Sequence, residues 1–237
     1  MRRVWQSEGV TSAANPGLVD RLVEQLAAVT DAERAKAMAA YMRHQFPFLG
    51  VPSPKLKLAL RAAQPGRLDQ AELTTISRKL WQMPEREYQY AACALLSRFV
   101  KGCGPDFIDT AQYFIVTKSW WDTVDTLASH TVGPLVHKHP QLVTTMDEWI
   151  KSENIWLART AILYQLGYKE ATDVDRLFRY SLMKADHPDF FMRKAIGWAL
   201  RQYAWFAPET VRAFVLTHEA KFSNLTRREA MKNLPTP

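Results

Sequence analysis

The chain has 237 residues, 47% of them hydrophobic and 23% charged, enough apolar surface to bury a core and too much for intrinsic disorder. Thirteen prolines and nine glycines are ordinary usage and exclude collagen-like and low-complexity classes. Thirty-one Lys and Arg against 24 Asp and Glu leave a net charge of +7, which suits a polyanionic partner or an acidic membrane surface. Two cysteines, Cys93 and Cys103, are too few for a disulfide framework or a four-ligand metal site. No apolar run approaches the roughly 20 residues of a membrane span. Met1-Arg2-Arg3 leads into Val4-Trp5-Gln6-Ser7-Glu8 rather than an apolar signal core, so a cytoplasmic protein is the expectation.

From residue 16 onward the chain reads as one helix after another, with no evident strand. Asn15-Pro16 sets a capping side chain before a proline suited to the first helical position, and Leu18, Val19, Leu22, Val23 and Leu26 follow at helical spacing. Thr30-Asp31-Ala32-Glu33 has the form of a capping box, in which a hydroxyl and a carboxylate satisfy free amides at a helix start. Asp69-Gln70-Ala71-Glu72 and Thr226-Arg227-Arg228-Glu229 have similar spacing. Pro54, Pro84, Pro105, Pro140, Pro188 and Pro208 mark further first turns and divide the chain into about a dozen helices. Short connections imply antiparallel helix pairs, arranged as a bundle or stacked as a solenoid.

An internal repeat separates these two architectures. Trp156-Leu157-Ala158-Arg159-Thr160-Ala161-Ile162 matches Phe190-Phe191-Met192-Arg193-Lys194-Ala195-Ile196 at an offset of 34 positions. Trp120-Trp121-Asp122-Thr123-Val124-Asp125 fits the same frame 36 positions earlier, and the segment from Tyr88 to Cys93 fits it more weakly. A period near 35 predicts an all-α, single-domain curved solenoid, an α-α superhelix whose stacked helix pairs share one core and leave a long concave face. Chance matches between alanine-rich helices are the alternative.

In this frame the fifth position after the aromatic is Cys93, Asp125, Ala161 and Ala195. A carboxylate among small packing residues is costly to bury unless paired. Asp125 is therefore either a functional acid, or one that faces solvent or pairs with Lys118 or Arg159, and the pattern does not choose. Trp121 precedes Asp125 by one helical turn and shares its face, whereas Trp120 points about 100° away, toward the core. Ser119 and Asp122 fit a capping arrangement, a structural role. Trp198, beside Gly197, offers a second aromatic wall.

Basic residues cluster at Arg43, Lys55 and Lys57, at Lys118, at Arg159 and Lys169, at Arg193, Lys194 and Arg201, and at Arg227, Arg228 and Lys232. On a solenoid such recurrence makes a basic stripe along the concave face, with Lys118, Arg193 and Lys194 as candidate contacts to a nucleic-acid backbone. The competing interpretation is solvated helix faces whose long side chains cover apolar neighbours. No phosphate loop, dinucleotide fingerprint or nucleophile elbow is present, and His137-Lys138-His139 lacks metal-ligand spacing. Neither a metal nor a cofactor is expected. No helix-turn-helix or zinc-finger device for reading base sequence is visible.

The run from Val116 through Trp120, Trp121 and Asp125 resembles the AlkD family of bacterial DNA alkylation-repair glycosylases. So do Glu153-Asn154-Ile155-Trp156-Leu157-Ala158-Arg159, Lys194-Ala195-Ile196-Gly197-Trp198, and Ala40-Tyr41-Met42-Arg43 followed by Phe48-Leu49-Gly50. Leu80-Trp81 with Met83-Pro84-Glu85-Arg86-Glu87, and Thr226-Arg227-Arg228-Glu229-Ala230, extend the likeness in order to the C-terminus. The resemblance implies a HEAT-like repeat domain over 13–237, with 1–12 as an N-terminal extension. It implies a monofunctional glycosylase that hydrolyses the N-glycosidic bond of cationic N3- or N7-alkylated purines in duplex DNA, without a base-flipping pocket. By the same likeness Asp125 is the catalytic carboxylate, Trp121 and Trp198 are aromatic walls, and Arg159 and Tyr41 contact DNA. It further implies a monomer associated with the nucleoid, with alkylated duplex DNA as partner and no obligate protein partner. The alternative is a non-catalytic DNA-binding or protein-binding helical-repeat scaffold in which Asp125 merely pairs with a neighbouring base. A membrane-surface role lacks a cationic amphipathic helix.

Overall fold

The computed structural model describes Asn15 and residues 17–234; the expected extension at 1–12 lies outside them. Among the described residues the regular structure is helical, and no strand occurs. The first five helices are α1 (Leu18–Ala27), α2 (Ala32–Tyr41), α3 (Ser53–Ala62), α4 (Gln70–Gln82) and α5 (Arg86–Phe99). They are followed by α6 (Phe107–Val116), α7 (Trp121–Leu127), α8 (Gly133–Lys138), α9 (Val143–Trp149) and α10 (Ile155–Leu163). The last four are α11 (Val174–Met183), α12 (Phe190–Ala204), α13 (Pro208–Thr217) and α14 (Asn224–Met231).

Helices α3, α5, α7, α10, α12 and α14 pack one on the next as an inner layer, backed by α4, α6, α9, α11 and α13. Successive inner helices begin 33, 35, 34, 35 and 34 residues apart, so the sequence period belongs to the inner helix of each pair. One apolar core runs the length of the stack: Leu22, Leu73, Leu96, Phe114, Leu135, Met146, Ile196 and Val211 are all fully buried within it. Each such side chain stabilises the fold by about 1.5–3 kcal/mol relative to exposure, which no single helix pair could collect alone.

Helix starts follow the expected residue types but not always the expected residues. Asp69 and Glu72 form the reciprocal capping box at α4. At α2 the cap is Asp31, whose carboxylate accepts from the Arg34 amide, while the Thr30 hydroxyl donates back to the Ala27 carbonyl. At α14 the cap is Ser223, and Thr226 supplies the amide that it accepts. Asn15 does not cap α1: Gly17 holds that position, and the Asn15 side chain binds the Gly66 amide and the Arg67 carbonyl instead. Pro16 lies outside the described residues. Pro54 and Pro208 stand in first turns, whereas Pro84, Pro105 and Pro188 fall one or two residues earlier and Pro140 opens a 3-10 turn.

Within the inner layer α12 and α14 approach closely. A Cβ added at Gly197 meets the Glu229 Cβ at 2.5 Å and the Thr226 carbonyl oxygen at 2.9 Å, so only glycine lets the two backbones come this close. Gly197→Ala is therefore expected to cost about 1–3 kcal/mol by overpacking. Gly102→Ala is the control, because its added methyl meets nothing within 4 Å. Urea unfolding of both variants checks the pair, and equal midpoints would discard the close-packing account.

Candidate active site

The site is built on the first turn of α7. The preceding loop is anchored by Arg86, fully buried, which donates to the Lys118 carbonyl at 2.8 Å, to both Asp122 carboxylate oxygens at 2.9 and 2.6 Å, and to the Thr123 hydroxyl at 2.9 Å. Tyr90 donates to Asp122 at 2.6 Å, and burial with that carboxylate beside it pushes the Tyr90 hydroxyl far above the ordinary tyrosine range. Asp122 is thus half of a buried ion pair and not a cap; Ser119 donates to the Ile115 carbonyl, and Trp120 holds the cap position without a side-chain acceptor. This clamp fixes the helix whose next turn carries Asp125.

Trp121 and Asp125 share a face of α7, as the four-residue spacing requires. Both line a cavity of about 450 Å³. Trp198 enters it from α12, Arg159 from α10, and Tyr41 and Arg43 from the end of α2. Tyr41 is 72% exposed and meets the Trp121 ring edge-on at 6.1 Å, joining segments 80 residues apart. A second cavity of about 260 Å³, with Ser129, His130 and Gln202 in its wall, lies on the other side of Asp125 and Trp198. The helix makes a π turn, Ala128–Val132, just beyond Asp125, a distortion found frequently at functional sites.

Asp125 is held by Arg159 through two hydrogen bonds, Nε to Oδ1 at 2.7 Å and Nη2 to Oδ2 at 2.8 Å. The remaining Arg159 nitrogen donates to the Phe191 carbonyl. Side-chain exposure is 14% for Asp125 and 3% for Arg159. Burial pushes the Asp125 carboxyl above its ordinary value; the Arg159 hydrogen bonds and charge oppose this, and Asp122 adds to the rise. A carboxylate has about four lone-pair positions, and Arg159 occupies two, which leaves the others for a water or for a positive centre.

The sequence frame for Asp125 shifts once the helix caps are aligned. Caps stand at Glu85, Trp120, Asn154, Asp189 and Ser223, and the fifth residue after each is Tyr90, Asp125, Arg159, Lys194 and Arg228. Asp125 is therefore the one acid in a polar, mostly cationic row, not an intruder among Ala161 and Ala195. The slip arose because the aromatic marker is the cap itself in α7, the first residue in α12 and the second in α10.

The other expected residues divide. Lys194 lines the cavity but is paired to Glu229 at 2.6 Å, as is Arg201 at 2.5 Å; the Lys194 hydrogen bond leads the forces that hold Glu229 below its ordinary value. Lys118 is drawn away, its Nζ donating to the Gln82 and Met83 carbonyls. Arg193 donates to the His187 carbonyl, outside the cavity lining. Arg159, implied as a DNA contact, is buried, with three of its five N–H donors committed to Asp125 and Phe191.

Arg43 and Arg201 stand in the sequence only as members of basic clusters, not as candidate contacts, and Trp120 is expected toward the core. Trp120 meets Trp156 at a tilt and Phe191 edge-on in an aromatic cluster from which Trp120 and Phe191 line the cavity, and its buried indole N–H has no hydrogen-bond partner among the described residues. Arg201 was legible as Lys194 plus two turns of α12. Among the described residues no group of three His, Cys, Asp or Glu is placed to hold a metal ion, and no helix is long and apolar enough to cross a membrane.

Three solved structures are similar over nearly their whole length. A protein described as a predicted DNA alkylation repair enzyme from Enterococcus faecalis is 32% identical, with a TM-score of 0.78, covering 88% of this chain and 98% of that one. AlkD2 from Streptococcus mutans is 15% identical with a TM-score of 0.64, covering 92% and 98%. The Streptococcus mutans UA159 protein smu.31 is also 15% identical, with a TM-score of 0.60 and coverage of 92% and 100%. These last two likenesses speak to the helical-repeat fold alone. Comparison with curated proteins gives no match. Residues 22–234, nearly all of the inner and outer layers described above, match the family described as DNA alkylation repair enzyme, and the chain belongs to that family.

Proposed function

We propose that this protein is a monofunctional DNA glycosylase that hydrolyses the N-glycosidic bond of cationic N3- or N7-alkylated purines in duplex DNA. The observation that carries the reading is Asp125, a carboxylate between the Trp121 and Trp198 indoles in an open cavity, held in one orientation by Arg159. When the glycosidic bond breaks, its electron pair leaves with the base, which becomes neutral, and the deoxyribose carries positive charge until water adds at its anomeric carbon and loses a proton. A fixed carboxylate stabilises that sugar and orients the water. At about 4 Å and an effective dielectric near 20 the attraction is about 4 kcal/mol. A guanidinium about 4 Å behind the carboxylate takes back about half, leaving roughly 2 kcal/mol, or about thirtyfold in rate. Water orientation by general-base contact adds to this.

The indoles turn negative ring faces toward a cationic nucleotide, each worth about 0.5–2 kcal/mol. Arg43, Lys194 and Arg201 share the wall with them, a lining suited to sugar and phosphate. This favours action from the backbone side over extrusion of the base into an apolar pocket. Alkylated duplex DNA is the substrate in this reading, bound by a monomer in the cytoplasm without a cofactor. Lys194 acts here as a backbone contact, with Tyr41 beside Trp121 at the rim; Arg159 serves as a positioning residue. The second reading, a non-catalytic DNA-binding scaffold, draws on the same bidentate Arg159–Asp125 pair, which a purely structural acid also forms. Release of free base from methylated duplex DNA decides between them.

Asp125→Asn is expected to slow 7-methylguanine release by between about thirtyfold and a thousandfold, with duplex affinity within a few fold of the parent. Equal losses in both would make Asp125 structural. Arg159→Ala strands a carboxylate and is expected to cost about 3 kcal/mol of stability and most of the excision rate, yet to leave the salt slope of DNA binding unchanged. A slope shallower by about 0.9 would put Arg159 on a phosphate after all. Excision requires ionised Asp125, whose folded-state pKa lies above the ordinary 3.8. Single-turnover rates should therefore be flat near neutrality and fall as pH drops through that raised pKa; a fall only at or below 3.8 contradicts the buried-carboxylate account.

A further inference from the structure

The end of α2 is closed by hydrogen bonds from the Arg43 amide to the Ala40 carbonyl and from the His44 amide to the Ala39 carbonyl. These are the paired bonds of a Schellman motif, whose first residue beyond the cap adopts a left-handed conformation and is usually glycine. Here it is Arg43, at φ 55°, and His44 follows at φ 55°. An L side chain in that region is strained, and strain of this kind clusters at functional sites.

The charges around the cavity set Arg43 apart from its neighbours. Arg159 is committed to Asp125, and Lys194 and Arg201 share Glu229. Arg43 lines the same cavity, is exposed, and its guanidinium has no hydrogen-bond, ion-pair or ring partner among the described residues. It stands two residues from Tyr41, which touches Trp121.

We infer that Arg43 is a phosphate-binding residue that grips the backbone of the strand lying in the cavity, and that the strained turn after α2 is retained to aim it there. The inference rests on the DNA-binding part of the proposed function, not on base release. A guanidinium on a phosphate makes charge-assisted, bidentate bonds and displaces one condensed counterion.

The test compares the full-length protein with Arg43→Gly, Arg43→Asn and Arg43→Lys. Glycine and asparagine both accept the left-handed turn, so neither threatens folding. Binding of an undamaged duplex is followed by fluorescence anisotropy across a salt series, with thermal unfolding in parallel. Arg43→Gly is expected to raise Tm by about 2–4 °C, to weaken binding about tenfold at low salt, and to make the salt slope shallower by about 0.9. Arg43→Asn should reproduce the binding loss, and Arg43→Lys should restore most of the slope. If Arg43 only serves the negative end of the α2 dipole, Arg43→Gly lowers Tm and leaves affinity and slope unchanged, which overturns the inference. Base release from methylated duplex is measured separately: its absence in the parent, with the slope change intact, sinks the glycosylase reading and supports Arg43. A parent that does not bind duplex at all overturns both.

Discussion

The rest of the site depends on a single bidentate ion pair between consecutive inner helices. Asp125 on α7 and Arg159 on α10 occupy the same position in successive repeats, so the bond that orients the acid is also a bond between repeats. Its chemistry is double-edged. Without Arg159, burial at this depth favours the neutral acid, which can neither stabilise a cationic sugar nor accept a proton from water. With it, the carboxylate is ionised and its plane fixed, but part of its field is neutralised. In the proposed glycosylase reading this compromise suits a leaving group that is already cationic, since such a base departs as a neutral molecule and the acid has less barrier to lower.

The same construction recurs along the stack. Arg86 on α5 reaches forward to Asp122 on α7, and Glu229 on α14 reaches back to Lys194 and Arg201 on α12. Glu87 on α5 accepts from the amides of Leu49, Gly50 and Val51 ahead of α3. The apolar core is continuous but unspecific about register, because one Leu packs against a neighbouring turn nearly as well as against the next. Buried polar pairs tolerate no such slip, since a displaced partner leaves a charge unpaired in a low dielectric. Hydrophobic stacking thus supplies the cohesion of the solenoid, and these cross-repeat pairs set the angle at which each inner helix presents its face.

The fold was legible in the sequence because helical periodicity and a 35-residue repeat are both local regularities. The cap positions were legible only to within a residue or three: Thr30 and Asp31 are both good caps, and which one serves is decided by tertiary contacts such as the bond from the Asp31 amide to the Leu49 carbonyl. Asp125, Trp121 and Trp198 come together as the spacing and the family likeness implied. Arg159 takes up the pairing with Asp125 that the sequence held open as an alternative, because a guanidinium one repeat from a carboxylate finds that partner before it finds solvent. Trp120 was assigned to the core by its angle to Trp121, which holds inside a helix; Trp120 stands at the cap in extended conformation, φ −159°, where helical angles do not apply. Arg43 was visible only as one member of a basic cluster, because its left-handed backbone cannot be read from residue type.

The distribution of charge carries the argument furthest. A concave face of free cations would bind any polyanion and, in the proposed glycosylase reading, would repel the cationic sugar that forms during depurination. In this cavity three lining cations are tied to carboxylates: Arg159 to Asp125, and Lys194 and Arg201 to Glu229. Tied cations still offer donors to a phosphate, yet their long-range field is largely cancelled within the cavity, while the net excess of +7 over the whole chain can attract DNA from a distance. Among the described residues the lining cation without an ion-pair partner is Arg43, which comes from the end of α2 and not from the inner helix that carries Asp125. Attraction for the backbone and tolerance of a transient cation are opposing electrostatic demands. Pairing three of the lining charges and leaving Arg43 free is how one cavity would meet both demands.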